Sequence, residues 1–121
     1  MHPVRLYHNP LCSKSRGALA LLHAHGIGPT IIPYLEQPPS SDELRQLLQL
    51  LGLGPRALLR IDEPEYTALG LDDAGLDDDA LIAAMSAYPR LIERPIFVHG
   101  DRAVIGRPPE RVLELLAQPD R

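Results

Sequence analysis

The sequence predicts an α/β fold with a mixed four-stranded sheet, made of a βαβ half and a ββα half separated by a helical insertion. Three observations carry this expectation. An alternating segment, Val4–Tyr7, and a β-branched one, Thr30–Ile32, bracket a single apolar-periodic helix. Two more strand-like segments, 96–98 and 103–105, flank a turn and precede a last helix. Between the halves, from about residue 40 to 90, the apolar residues recur at helical spacing. The 121 residues suffice for one domain spanning 1–121, and no internal repeat is visible.

Taken in order, Val4, Arg5, Leu6 and Tyr7 alternate as a short strand does, and Asn9-Pro10 marks a turn. From about residue 13 to 25, Ala18, Leu19, Leu21 and Leu22 repeat at helical spacing, and Gly26 with Gly28-Pro29 stops that helix. Thr30, Ile31 and Ile32 form the next strand. A helix of that length between two strands implies parallel pairing through a right-handed crossover. Pro38-Pro39-Ser40-Ser41 is a connector, and Ser40 with Glu43 forms a capping box. The helix it opens carries Leu44, Leu47, Leu48 and Leu51 on one face and stops at Gly52. Pro55 suits the first turn of a short helix through Ala57, Leu58 and Leu59, and another is expected over 63–69. Asp77 or Asp78 caps a helix with Leu81, Ile82 and Met85 that ends near Tyr88-Pro89. After Arg94-Pro95 the period returns to that of strands, with His99-Gly100-Asp101-Arg102 as a hairpin signal. Pro108-Pro109-Glu110 opens a last helix whose Val112, Leu113 and Leu116 should face inward.

Composition narrows the function classes. Hydrophobic content of 45% with 23% charged residues is that of an ordinary globular chain, not a disordered one. One Phe, four Tyr and no Trp leave the core to Leu, Ile, Val and Ala. No apolar run approaches a membrane span, and MHPVRLYHNP lacks the features of a signal peptide. The one cysteine can form no internal disulfide, so a reducing cytoplasm is the expected compartment. A net charge of −4 gives no support to nucleic-acid binding. Neither nucleic acid nor membrane is an expected partner, and a monomer is expected.

The stretch YHNPLCSKSR places that cysteine, Cys12, in a turn rather than inside an apolar pattern. Inert buried cysteines usually sit in apolar patterns. Cys12 falls at the expected N-terminus of the first helix, where unpaired N–H groups and the helix dipole favour a thiolate. Lys14 and Arg16 add cationic charge within the first turn, and His8 lies four residues upstream across the Asn-Pro turn. The position three after Cys12 is Ser15, so the chain has no internal resolving thiol and any adduct on Cys12 must be cleared by an outside one. A tyrosine-phosphatase loop would need Arg at position 18, which is Ala18.

YHNPLCSKSR, YLEQPPSSDELRQLL, RALLR, ERPIFV and IGRPPERVLELL together resemble the glutaredoxin-coupled arsenate reductase family, over about residues 4 to 117. The resemblance implies a thioredoxin-like fold with a helical insertion. It also implies that Cys12 attacks the arsenic of arsenate, that glutathione serves as co-substrate, and that glutaredoxin clears the resulting mixed disulfide, with no bound cofactor or metal. Arg60, Arg94 and Arg107 match the arginines that hold the oxyanion, His8 a residue that keeps the cysteine ionised, and Pro95 the cis-proline of the active-site loop. Forked guanidinium donors suit a tetrahedral oxyanion in any case. Better-known members read Cys-Gly-Thr-Ser-Arg where this chain has Cys12-Ser13-Lys14-Ser15-Arg16. Two alternatives follow: a glutathione-dependent thiol reductase on another substrate, and a thioredoxin-fold regulator that binds RNA polymerase.

Other polar residues carry less. His23 and His25 stand two apart on a helix and point to different sides, and His2 and His99 sit in terminal or turn context with no Cys or carboxylate cluster at ligand spacing. LDDAGLDDDA has no calcium-loop spacing and reads as a solvated, helix-capping loop.

Overall fold

The computed structural model describes residues 4–116. These residues form two compact units, one holding the chain up to Tyr34 and from Arg94 onward, the other Leu35–Glu93.

The first unit contains the sheet. Strands β1 (Val4–Tyr7), β2 (Thr30–Ile32), β3 (Ile96–His99) and β4 (Arg102–Ile105) lie in the order β2-β1-β3-β4. Helix α1 (Ser13–Ala24) connects β1 to β2, which pair in parallel with Leu6 opposite Ile31. Strands β1 and β3 are antiparallel, with Leu6 opposite Phe97, and β3 and β4 are antiparallel, with Phe97 opposite Val104. This mixed sheet is the thioredoxin-like arrangement, interrupted by the inserted helices. Gly100 takes φ 66° in the β3–β4 turn, a conformation that costs glycine little.

Residues directly opposite across strands share a face, so Leu6, Phe97 and Val104 form one apolar row. Ala18 and Leu22 of α1 pack on it with Val112 and Leu115 to make the unit's core. The last helix departs from expectation. Pro109–Leu115 is a 3-10 helix, and its buried residues are Val112 and Leu115, while Leu113 and Leu116 are only partly buried. With three residues per turn, i and i+3 eclipse, so the inward stripe has a spacing of three rather than the α-helical pattern.

The second unit is helical. Helix α2 (Ser41–Leu51) starts where Ser40 Oγ accepts from the Glu43 N–H at 3.1 Å and ends at Gly52 with φ 69°. Short helices α3 (Pro55–Leu58) and α4 (Pro64–Ala68) each begin with proline, as a residue lacking an N–H can. Helix α5 (Asp78–Ala87) is capped by Asp77, whose Oδ1 accepts from the Ala80 N–H at 2.9 Å. A 3-10 turn, Pro89–Leu91, follows. Leu44, Leu47, Leu58, Leu81, Met85 and Leu91 are buried in this unit. Leu59 leaves the helical path to form an isolated bridge with Ile92, which α3 therefore stops short of. Among the described residues no helix is long and apolar enough to cross a membrane.

Candidate active site

Sheet register assembles the site. The end of β1 lies beside the start of β3, because Tyr7 pairs with Ile96, and the end of β4 lies beside that start, because Ile105 also pairs with Ile96. The segments that continue from these strands, His8–Cys12, Arg94-Pro95 and Gly106-Arg107, therefore emerge at one end of one sheet. The Gly106 N–H donates to the Pro95 carbonyl at 2.8 Å, continuing the ladder past the strands. The Arg94-Pro95 and Arg107-Pro108 bonds are both cis. Gly106 has no room for a side chain: a Cβ there would stand 2.9 Å from Pro95 Cγ and 3.1 Å from Val112 Cγ1.

Cys12 is the N-cap residue of α1, with extended backbone at φ −97° and ψ 123°, and is 9% exposed. Burial pushes the thiol up. The Ser15 N–H, the charge of Arg94, the Lys14 N–H and a hydrogen bond from Arg94 oppose it, and together they hold Cys12 below the ordinary cysteine range. Lys14 thus acts on the sulfur through its peptide group. The Arg107 guanidinium donates to the Arg94 carbonyl at 3.4 Å, which places the second arginine next to the first.

Adjoining Cys12 through Ser15 is a buried polar pair that the sequence pattern did not single out. Ser15 is fully buried on the same stripe of α1 as Ala18 and Leu22. Its Oγ stands 2.6 Å from His8 Nδ1 and accepts from the Asn9 N–H at 3.0 Å. His8 is itself buried, and its N–H donates to the Ile32 carbonyl at 3.0 Å. Burial first, then the nearby charge of Arg16, lowers the His8 pKa, so the imidazole is neutral. With a neutral ring, the Ser15 hydroxyl can donate to Nδ1 while it receives from the Asn9 N–H. His8 thus reaches the sulfur's surroundings through Ser15, whose N–H also acts on Cys12. A serine at the i, i+3, i+7 spacing of a buried stripe was the available signal, since a buried hydroxyl needs partners.

Asn9 organises the turn. Its Oδ1 accepts from the Leu11 N–H and its carbonyl from the Cys12 N–H, each at 3.0 Å. Arg16 is exposed and donates to the Pro10 carbonyl at 2.9 Å, so it braces this turn. Arg60 belongs to the second unit. There its guanidinium meets Glu63 at 2.6 Å, Asp62 at 3.4 Å and Glu93 at 3.5 Å. No group of three or more His, Cys, Asp or Glu side chains suited to a metal occurs among the described residues, and His2 lies outside them.

Residues 7–115 match the ArsC family. The chain is 49% identical over 114 residues to the uncharacterized protein YfgD of Escherichia coli strain K12, covering 93% of this chain and 96% of that one. It is 42% identical over 117 residues to an arsenate reductase of Neisseria meningitidis, covering 96% and 100%. Among solved structures, an arsenate reductase from Vibrio cholerae matches with a TM-score of 0.91 at 55% identity, covering 93% of this chain and 97% of that one.

Proposed function

The chain belongs to the ArsC family, and from that premise we propose that it is an arsenate reductase with Cys12 as its nucleophile. The Cys12 thiolate attacks the arsenic of arsenate and water leaves, giving a Cys12–arsenate adduct. Glutathione then reacts with this adduct. A bond forms between the glutathione sulfur and Cys12, the sulfur–arsenic bond breaks, and its electron pair leaves with arsenic as arsenite. Glutaredoxin reduces the mixed disulfide and regenerates Cys12. The chain has no second cysteine, which fits clearance by outside thiols.

One observation carries the reading: Cys12 caps α1 with its pKa held down in part by Arg94, while Arg107 lies beside Arg94 at the same sheet end. Guanidinium forks there suit an oxyanion and stabilise the charge that grows as sulfur attacks. Arg60 enters the proposal through its position in the RALLR motif. The test is a coupled assay. Arsenate reduction should require both glutathione and glutaredoxin and should vanish in Cys12→Ser. Activity retained by that variant would overturn the mechanism.

A second reading keeps the nucleophile and changes the substrate. Ser13 and Lys14 follow Cys12, and Lys14 is exposed. Turnover of glutathionylated thiols by a protein silent toward arsenate would select a glutathione-dependent thiol reductase.

A further inference from the structure

Arg60 is fixed twice over within the second unit. Its N–H donates to the Leu91 carbonyl at 2.7 Å, and the Glu93 N–H donates to the Leu58 carbonyl at 2.8 Å, on either side of the Leu59–Ile92 bridge. Its side chain has a carboxylate at each guanidinium nitrogen. Nη1 meets Glu63 at 2.6 Å, Nη2 meets Asp62 at 3.4 Å and Nε meets Glu93 at 3.5 Å. A guanidinium carries five N–H groups. One contact to each nitrogen leaves one N–H on Nη1 and one on Nη2 without a protein partner. Glu63 makes the shortest of the three contacts, and its side chain is as covered as that of Arg60, each 14% exposed. It is the N-cap residue of α4, yet its side chain makes no capping bond to that helix. Its carboxylate bridges two guanidinium groups instead, with Oε2 on Arg60 and Oε1 3.0 Å from Arg90.

We infer that Glu63 is the positioning residue of Arg60. The inference rests on the oxyanion role of Arg60 proposed above. A loose arginine side chain samples many rotamers, and that freedom is lost when an anion binds. A charge-assisted bond to a covered carboxylate removes the loss beforehand and fixes which edge of the planar fork stays open. Asp62, 72% exposed, and Glu93, at 3.5 Å, give weaker holds. The two N–H groups left on Nη1 and Nη2 suit oxygens of a tetrahedral anion. The same carboxylate also offsets the positive charge of Arg60. Positioning and attraction are therefore opposed, and they predict opposite results when Glu63 is lost.

The test reads oxyanion binding apart from turnover. Cys12 is alkylated with iodoacetamide over a range of arsenate concentrations without glutathione, and the concentration giving half protection is measured. KM and kcat for arsenate come from the coupled assay. Glu63→Ala should raise the half-protection concentration and KM about tenfold, the scale of one charge-assisted hydrogen bond, with kcat little changed. Glu63→Gln keeps an oxygen for Nη1 and should recover most of the loss. Without arsenate, both variants should be alkylated as fast as the unaltered protein, because the groups that act on Cys12 are untouched. Unchanged half protection in Glu63→Ala, with stability in urea alone reduced, would overturn the inference. Tighter protection would do the same, by showing that the carboxylate competes with the oxyanion. So would slower alkylation without arsenate, by showing that the cysteine itself had changed. Arg60→Gln separates the two readings. If it weakens protection and Glu63→Ala does not, positioning fails and the oxyanion role of Arg60 stands. If neither weakens protection, or if arsenate fails to protect the unaltered protein, both fail. Protection without turnover would overturn the arsenate reductase reading alone.

Discussion

Arg94 does two things to Cys12: its charge and its hydrogen bond both favour the thiolate against the cost of burial. Replacing it by glutamine removes the charge and should raise the Cys12 pKa. At neutral pH, where the thiolate is the reacting species, alkylation by iodoacetamide should slow in Arg94→Gln. The midpoint of its pH profile should move toward that of an ordinary cysteine. An unchanged profile would mean that the helix N–H groups alone set the ionisation. The same site shows how far single residues can be read in advance. The placement of Cys12 at the start of α1 was legible because its turn position and the first-turn context of α1 are local features. Ser15 was not, because its role comes from His8 Nδ1 at 2.6 Å and the Asn9 N–H at 3.0 Å, both contacts made by folding the turn back on the helix.

At the scale of elements, the junction between β4 and the last helix sets the spacing of the site. Gly106 packs against Pro95 and Val112, and its N–H holds the Pro95 carbonyl. Gly106→Ala would drive a methyl group to within 2.9 Å of Pro95 Cγ. Something must shift, and overpacking of this kind costs about 1–3 kcal/mol. The variant should therefore lose that much stability in urea and also react more slowly at Cys12, because Arg94 adjoins the displaced proline. Loss of stability with unaltered Cys12 reactivity would show that the two loops move independently. The helix starts in the second unit were readable because caps are local: Ser40 and Asp77 both accept the expected N–H. The last helix was legible only in part, for the converse reason: Val112 faces the core as expected, while Leu113 and Leu116 only partly do. Its 3-10 winding buries Val112 with Leu115. The same residues fit an α-helical stripe equally well until the packing surface of α1 and β4 is known.

Over the molecule as a whole, the buried His8–Ser15 pair links stability to pH. The folded state holds the His8 pKa below its ordinary value, so the unfolded chain takes up a proton that folded His8 refuses. This contribution to stability is fully present above the ordinary histidine pKa. It is lost as pH falls from there toward the lower folded value. The urea midpoint should therefore drop on acidification through that window. In His8→Asn, where Oδ1 can take the Ser15 hydroxyl without titrating, the slope should be shallower. Identical slopes for both proteins would show that His8 is not the linked group.

Local features of the chain were enough to determine the order of strands and helices, most helix caps and the placement of the one cysteine at the start of the first helix. Periodicity, proline, glycine and capping residues act within a few positions of themselves, so they can be read without knowing what folds against them. Tertiary structure alone decided that the ends of β1, β3 and β4 coincide, which brings Cys12, Arg94 and Arg107 to one end of the sheet. It also decided that His8 is buried against Ser15. Both depend on strand register and burial, which join residues far apart in sequence and leave no signature in any one stretch.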